Sequence, residues 1–256
     1  MTELPKPPVA ATRDHRFSFH GQTLSDPYAW LKDPGYPEVT DKDVLAYLAA
    51  ENSYFEAVMA PHAPLVETIY QEMKGRIKED DSSVPQKDGD WLYWTAFETG
   101  GQYRKWWRKP VAGGPDVLLL DEPALAEGKE YFRLGTLNVS PDGKLVAYST
   151  DTNGSERFVL KIRDIASGRD LETVAEDSLG DVAWSSDSKS LVWAQASAEW
   201  RPTKIWLKTL GKPKGKLVYE EKEAGYWVQP STTQDRKLVL LSSYTQMTNE
   251  IRLLDA

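Results

Sequence analysis

Residues 140–149 read Ser-Pro-Asp-Gly-Lys-Leu-Val-Ala-Tyr-Ser, a sequence that predicts a tight turn followed by a buried strand. Asp-Gly supplies the side-chain cap and the positive φ that a hairpin turn requires. The apolar run after it suits a short strand. Related stretches recur with their aspartates at Asp88, Asp142, Asp187 and Asp235, in steps of 54, 45 and 48 residues. A repeated turn-and-strand pattern therefore organises most of the chain.

The composition allows a large folded core and excludes several kinds of chemistry. The chain has 256 residues, of which 40% are hydrophobic and 27% are charged, so wholesale disorder is not expected. It has no cysteine, which excludes disulfides, thiolate catalysis and Cys-ligated zinc and favours a reducing compartment. Neither a signal peptide nor a stretch of about 20 apolar residues is evident. We therefore expect a cytoplasmic protein that does not bind a membrane.

The charge of the chain argues against a nucleic-acid partner. The formal net charge is −8, with −6 in residues 1–83 and −2 in the remainder. Residues 105–109, Lys-Trp-Trp-Arg-Lys, mix basic and aromatic side chains as a single-strand site does. They also lie where a strand of the first predicted blade belongs, and the acidic balance favours that structural interpretation.

The first part of the chain predicts an irregular arm and two helices. Residues 1–40 contain six prolines and look irregular, with an aromatic segment at Asp26–Asp33 that can dock on another surface. Residues 41–60 predict a helix capped by Asp41 or Asp43, and residues 64–76 predict a second. The mostly apolar stripe of the first helix consists of Leu45, Leu48, Asn52, Phe55 and Met59. The apolar stripe of the second helix consists of Leu65, Ile69, Met73 and Ile77. Because no later segment is predicted to be helical, strands, a partner or further chain must cover these stripes.

A polar break at residues 79–85 predicts a domain boundary, with domains of 1–83 and 84–256. The acidic triplet Glu79-Asp80-Asp81 is a conceivable cation site, but no ligand-spaced acids follow it. A solvated linker is the favoured interpretation of this segment.

From residue 84 onward the pattern is all β and predicts a partial β-propeller. Each repeat offers about four short strands over ~45 residues, as in Arg157–Asp164, where apolar and polar residues alternate. The predicted blades are 84–130, 131–178, 179–224 and 225–256, and the last of them lacks a strand. Propellers close with about 4–8 blades, so we expect further chain to complete this one.

The sequence offers no catalytic, cofactor or metal residues. It has no Gly-x-Ser-x-Gly, and its only glycines four residues apart are Gly211 and Gly215. The three histidines, His15, His20 and His62, lack triad or zinc-site partners. Residues 151–156, Asp-Thr-Asn-Gly-Ser-Glu, faintly resemble a calcium loop but fit a hairpin loop better.

Several stretches resemble the prolyl oligopeptidase family of serine peptidases, and within it the N-terminal part of the oligopeptidase B group. The most specific is Gly-Arg-Ile-Lys-Glu-Asp-Asp-Ser-Ser-Val-Pro at 75–85. The others are Pro-Pro-Val-Ala at 7–10, Asp-Pro-Tyr-Ala-Trp-Leu at 26–31, Tyr-Leu-Ala-Ala-Glu-Asn at 47–52, Leu-Ala-Glu-Gly-Lys-Glu-Tyr-Phe at 125–132, Arg-Pro-Thr-Lys-Ile-Trp at 201–206 and Leu-Leu-Asp-Ala at 253–256.

This resemblance implies a seven-bladed propeller that caps an α/β-hydrolase domain to which the N-terminal helices belong. It implies hydrolysis of short peptides after Arg or Lys by a Ser-His-Asp triad, with the propeller limiting access. The family's catalytic residues lie beyond the matched part, so none is carried over, and the chain is expected to be an inactive fragment. Two alternatives stay open: a non-catalytic interaction scaffold, and prolyl endopeptidase-like specificity on the same architecture.

Overall fold

The structure, a computed structural model, describes residues 5–36 and 38–256 and divides into two compact units. The N-terminal unit ends at Lys78 and the C-terminal unit begins at Glu79. This division lies five residues before the boundary expected from the polar break, because the chain there already pairs with a strand of the second unit. The amide of Phe97 donates to the carbonyl of Asp81 at 2.8 Å. None of the described helices is both long and apolar enough to cross a membrane.

The N-terminal unit contains a hairpin and two helices. The strands β1 (Arg16–Phe19) and β2 (Gln22–Ser25) pair around a two-residue turn, although we expected residues 1–40 to be irregular. Both turn residues have positive φ, 50° at His20 and 76° at Gly21. A turn of this kind matches the twist of a hairpin. The alternation of Phe17 and Phe19 with polar residues was therefore a strand signal, which the nearby prolines obscured.

The two predicted helices are confirmed as α1 (Lys42–Met59) and α2 (Ala63–Gly75). Asp41 caps α1, since its carboxylate accepts the amides of residues 43 and 44 at 2.8 and 3.2 Å. Much of the apolar stripe of each helix is exposed, to 63% at Phe55 and 62% at Met73. The helix pair thus presents apolar surface that the described part of the chain leaves open.

The C-terminal unit is mainly β, as predicted, and consists of antiparallel sheets in which successive strands are neighbours. We divide its strands into four modules, each of which corresponds to one repeat of the sequence, and we list the strands of each module in chain order. Module one has β3 (Gln86–Asp88), β4 (Trp91–Phe97), β5 (Arg104–Pro110) and β6 (Val117–Asp121). Module two has β7 (Arg133–Val139), β8 (Leu145–Asp151), β9 (Phe158–Asp164) and the first half of β10 (Asp170–Trp184). Module three has the second half of β10, β11 (Ser190–Ala196), β12 (Pro202–Thr209) and β13 (Lys216–Glu220), and module four has β14 (Trp227–Thr232), β15 (Leu238–Tyr244) and β16 (Asn249–Asp255). The number of blades in a complete propeller stays a prediction.

Two details of this unit differ from the sequence prediction. A short helix, α3 (Glu122–Ala126), follows module one, although no helix was expected after residue 78. The strands expected at 170–174 and 182–184 form one continuous strand, β10. Ser178 in β10 pairs both with Phe158 of β9 and with Gln195 of β11, and the register shifts on either side of it. Across these irregularities β10 pairs first with β9 and then with β11, so modules two and three form one seven-stranded sheet.

A side-chain-capped turn joins the first and second strands of modules two, three and four. In module two, the Ser140 hydroxyl donates to Asp142 at 2.7 Å and accepts the Leu145 amide at 3.0 Å, and the Lys144 amide donates to Asp142 at 3.1 Å. Ser185 with Asp187 and Thr233 with Asp235 repeat this pattern within 0.1 Å. The repeated Ser/Thr-x-Asp pattern therefore forms the same side-chain-capped turn in three modules.

The turn also requires the residue directly after the aspartate to adopt the left-handed backbone conformation, with a positive φ. In module two this residue is Gly143, at a φ of 71°, and in the other two modules it is Ser188 at 62° and Arg236 at 58°. Side chains other than glycine carry a steric penalty there. The fourth stretch, at Asp88, is different, because it forms a two-residue hairpin between β3 and β4 without a hydroxyl cap.

Three apolar clusters join consecutive modules. The cluster between modules two and three includes Leu160, Ile162 and Trp184, and the cluster between modules three and four includes Val192, Ile205 and Val228. Each of them has seven buried members. The cluster between modules one and two has only Leu119, Val146 and Ile165 as buried members. Since burial supplies about 25 cal/mol per Å² of apolar surface, module one is joined to its neighbour by the smallest core.

We predict that replacing Thr233 with valine lowers the free energy of unfolding by about 1–2 kcal/mol. The substitution keeps the shape of the side chain but removes the hydroxyl that binds Asp235 and the Leu238 amide. Urea unfolding followed by tryptophan fluorescence measures the change. The control is Gln234→Ala at the exposed position within the same turn, with an expected effect below about 0.5 kcal/mol. Equal effects of the two substitutions would show that the hydroxyl cap does not stabilise the turn.

Candidate functional site

A cavity of about 350 Å³, which we call the turn-end cavity, lies where the first strands of the four modules end. Its lining includes Asp88, Val139, Trp184 and Thr232, which are the last residues of β3, β7, β10 and β14. These strands end at a common level because each one runs into its hairpin turn. The repeated turn in the sequence thus determines where this cavity forms.

One wall of the turn-end cavity is aromatic and belongs mostly to module one, with Tyr93, Trp106 and Trp107 in its lining. On the opposite side, Trp184 donates its indole N–H to the carbonyl of Asn138 at 3.1 Å, which connects modules two and three. Ligand cavities usually start at about 300 Å³. The turn-end cavity therefore has room for one or two side chains of a peptide.

An ion pair lies on the rim of the turn-end cavity and connects module one to module four. Nη2 of Arg236 lies 2.5 Å from Oδ2 of Asp88, a residue 148 positions earlier in the chain. Their side chains are 41% and 59% exposed. An exposed pair of this kind contributes about 0–1 kcal/mol and weakens as salt is added. It can hold the rim together and still open at small energetic cost.

Arg108 is a buried cation beside the same wall. It is 5% exposed, and its guanidinium carbon lies 3.8 Å from the centre of the Trp91 ring. Among the residues that the structure describes, none forms a hydrogen bond with its Nε or Nη1 atom. A side chain added at Gly143 would meet Nη1 at 3.3 Å, so the turn of module two packs directly on the guanidinium. The contact with the Trp91 ring and the interaction with the Tyr93 side chain therefore support this buried charge.

At the opposite ends of the strands, arginines connect the loops of neighbouring modules. Arg157, between β8 and β9, donates to the carbonyl of Ser197 at 3.0 Å and lies 4.5 Å from the centre of the Trp200 ring. Arg201, between β11 and β12, donates to the carbonyl of Glu223 at 2.8 Å. Arg157 thus bonds to the backbone of the β11–β12 loop and Arg201 to the backbone of the β13–β14 connection, which links the loops of modules two, three and four.

Glu221 binds the connection between modules three and four. Its Oε2 accepts hydrogen bonds from the hydroxyls of Ser243 at 2.5 Å and Tyr219 at 2.6 Å, and its Oε1 accepts the amide of Glu223 at 3.0 Å. The Ser243 bond, followed by the others, lowers the pKa of Glu221 to about 2. The carboxylate is therefore a structural anion, held in its charged form by donors from both modules.

The three histidines that the sequence singles out lie apart from one another. His15 precedes β1, His20 occupies the β1–β2 turn and His62 precedes α2, and all three are exposed. Within residues 5–36 and 38–256, no three His, Asp or Glu side chains come together in a way that could hold a metal ion. The described residues thus contain no cluster of this kind around any of the three histidines.

Three other stretches that the sequence singles out have structural roles. The buried Asp151 carboxylate accepts the backbone amides of Asn153, Gly154 and Glu156 at 2.8–3.0 Å, so it closes the β8–β9 hairpin loop and faces its own amides. Residues 105–109 lie within β5, as the strand interpretation predicts. Glu79 of the acidic triplet accepts the Gly100 amide at 3.1 Å, which ties the triplet to module one instead of leaving it as a free linker.

Sequence reasoning missed the charged residues of the turn-end cavity. Asp88 was interpreted only as a turn residue, and Arg236 only as part of a repeat. One signal was present: Arg236 occupies the position at which Gly143 stands in the best copy of the turn. Since the left-handed conformation disfavours residues other than glycine, a charged residue at this position indicates that its side chain has a role beyond turn formation.

The chain was compared with known proteins. The family described as "Prolyl oligopeptidase, N-terminal beta-propeller domain" matches residues 7–256. Dipeptidyl aminopeptidase BI of Pseudoxanthomonas mexicana is 32% identical, and Protease 2 of Moraxella lacunata is 26% identical; each match covers 98% of this chain and 37% of the relative. Oligopeptidase B from Leishmania major has a TM-score of 0.88 at 27% identity, also over 98% of this chain and 37% of that one. The chain thus spans little more than a third of the length of these relatives.

We predict that Glu221 makes stability depend on acid pH. Because its folded-state pKa is about 2 and its ordinary value is 4.5, its contribution is full above about pH 4.5 and is lost as pH falls toward 2. Thermal unfolding between pH 2 and 7 measures this loss. Glu221→Gln should flatten the slope in that range, whereas Glu223→Gln, an exposed glutamate in the same loop, should leave it unchanged. An unchanged slope in Glu221→Gln would contradict the assignment.

Proposed function

This chain belongs to the family of prolyl oligopeptidase N-terminal β-propeller domains, and we propose that it works as the N-terminal part of a serine endopeptidase of the oligopeptidase B type. In this proposal the complete enzyme cleaves short peptides after Arg or Lys. The catalytic residues lie outside these 256 residues, and the propeller restricts access to them. The observation that carries the proposal is a match over nearly the whole chain to only 37% of peptidase relatives.

Two structural similarities support the oligopeptidase B type over others. The solved structures of oligopeptidase B from Leishmania major and Trypanosoma brucei have TM-scores of 0.88 and 0.87, at 27% and 29% identity. A prolyl endopeptidase from Elizabethkingia meningoseptica is 25% identical over 71% of the chain. Dipeptidyl aminopeptidase specificity is the second candidate, because the relative with that name is 32% identical.

The turn-end cavity supports the restriction of access. Its aromatic wall and its volume of about 350 Å³ leave room for one or two side chains of a peptide but not for a folded protein. The Asp88–Arg236 pair narrows the rim further and can open at small cost. An access route with these dimensions selects unstructured peptides before any catalytic residue meets them.

The apolar stripes of α1 and α2 support a covering partner. Large side chains along both helices are exposed, including Phe55 at 63%, Leu65 at 59% and Met73 at 62%. Soluble proteins rarely leave contiguous apolar surface open, so a further part of the enzyme is the expected cover. A propeller that served only as an interaction scaffold would not need this helix pair.

We predict that the purified chain does not hydrolyse aminomethylcoumarin amides of Arg or Lys. A chimera in which residues 1–256 replace the matching part of Trypanosoma brucei oligopeptidase B should hydrolyse them. A panel with Pro amides and free dipeptide amides separates the three specificities. Turnover by the chain alone that a serine-directed inhibitor abolishes would overturn the proposal, as would a folded chimera without peptidase activity.

We also predict that the helix stripes bind a solvatochromic dye. The double substitution Ile69→Ser and Met73→Ser in α2 removes two exposed apolar side chains and should reduce dye fluorescence markedly. The matched control is Glu67→Ser with Gln71→Ser on the polar side of the same helix. Equal fluorescence in the two double variants would show that the dye reports a different surface.

A further inference from the structure

A second cavity, of about 400 Å³, lies between module one and the start of module two and contains a buried carboxylate. We call it the glutamate cavity, after Glu122, the first residue of α3. Glu122 is 6% exposed. The rings around it come from Phe97, Tyr103, Trp106 and Phe132. A carboxylate enclosed by aromatic rings is the arrangement that proteins use for organic cations.

The carboxylate of Glu122 is only partly satisfied. Its Oε1 accepts the indole N–H of Trp106 at 2.6 Å, which is a neutral donor. Across the described residues, no hydrogen bond to Oε2 is found. A buried carboxylate that has only a neutral donor within hydrogen-bond distance is unfavourable. Burial accordingly raises the pKa of Glu122, with Trp106 and Arg104 opposing that effect.

Arg104 stands at the mouth of the glutamate cavity but does not form a hydrogen bond with Glu122. Its Nε lies 4.0 Å from Oε1 of Glu122, which is longer than a hydrogen bond. Its guanidinium carbon lies 5.4 Å from the ring centre of Phe97 and 5.8 Å from that of Trp106. The Arg104 side chain is 46% exposed, in contrast to 8% for the Glu122 side chain. The Arg104 guanidinium therefore occupies the place beside Glu122 that a bound cation would take, and its exposure allows it to move into solvent.

The charges in the glutamate cavity favour a cationic ligand over an anionic one. The other arginine in its lining, Arg133, already pairs with Glu156 at 2.8 Å. An anion would have to lie beside the Glu122 carboxylate and would repel it. A free guanidinium, in contrast, can donate two parallel N–H bonds to a carboxylate, which Arg104 does not do from its place on β5.

From these observations we propose that the glutamate cavity binds the guanidinium group of an arginine side chain, with Glu122 as the anion, Trp106 and Phe97 as the ring contacts, and Arg104 as a displaceable occupant. Binding here is separate from the peptidase proposal, because it needs only the 256-residue chain and no catalytic residue. The ligand can be a free peptide or a loop of another protein, since both present the same group.

The test is a calorimetric titration of the chain with N-acetyl-arginine methylamide, compared with the neutral isostere N-acetyl-citrulline methylamide. We expect the arginine compound to bind at least about tenfold more tightly, since the charge–carboxylate pair is then the main contribution. The Trp106 indole N–H signal, assigned with Trp106→Phe, should shift on addition of the arginine compound alone.

Two substitutions should change the affinity in opposite directions. Glu122→Gln keeps an acceptor for Trp106 but removes the charge, and should weaken binding about tenfold or more. Arg104→Ala removes the occupant and should tighten binding several-fold. Misfolding cannot produce that increase, so the pair stays informative even if one variant is unstable. Glu127→Gln, an exposed acid just after α3, is the matched control and should leave the affinity unchanged.

Three results would overturn the proposal. The first is equal affinity for the arginine and citrulline compounds. The second is an affinity in Arg104→Ala that is unchanged or weaker, or undetectable at about 10 mM ligand. The third is an affinity in Glu122→Gln equal to that of the unsubstituted chain. A peptide-activity assay plays no part in these outcomes, so they are distinguishable from a failure of the peptidase proposal.

Discussion

The hydrogen bond between a serine or threonine hydroxyl and the aspartate two residues later is the contact on which the C-terminal unit depends. It recurs at Ser140, Ser185 and Thr233 with the same 2.7 Å distance. The same hydroxyl accepts an amide of the following strand, so the cap fixes both the end of one strand and the register of the next. Because modules two to four share it, their first strands end at one level, and the turn-end cavity follows from that alignment.

The sequence predicted those elements whose determinants are local. Asp41 and the two apolar stripes were sufficient for α1 and α2, and the turn aspartates were sufficient for most strands. The hairpin β1–β2 was missed because nearby prolines outweighed a weak alternation. The short helix α3 was missed because five residues carry too little periodicity, although its N-terminal cap, Asp121, has the residue type that starts helices.

The candidate sites could not be predicted in the same way, because their residues meet only in the folded chain. Asp88 and Arg236 are 148 residues apart, and Glu122 and Trp106 belong to different elements. Both pairs also lie next to module one, whose apolar contact with module two is the smallest of the three. The buried Arg108 and Glu122 both lie in module one or directly after it. In contrast, the buried Lys208 in module three has a full ion pair with Glu172 at 2.8 Å. Two buried charges without a close ion pair and the smallest of the three apolar clusters thus occur in the same part of the unit.

The continuous strand β10 has a consequence for how the molecule opens. Its first half pairs with β9 of module two and its second half pairs with β11 of module three, so the two modules share one seven-stranded sheet whose pairing changes partner at Ser178. Neither module can detach its edge without disturbing the other, so we expect the two to open as a single foldon in native-state hydrogen exchange. Amides of β8, β9, β11 and β12 should then exchange through one common opening, and those of module one, which has the smallest apolar cluster, through a separate opening of lower free energy. A cut in the chain at Gly180 would divide that foldon, so this position is unsuited to circular permutation although it lies between two repeats.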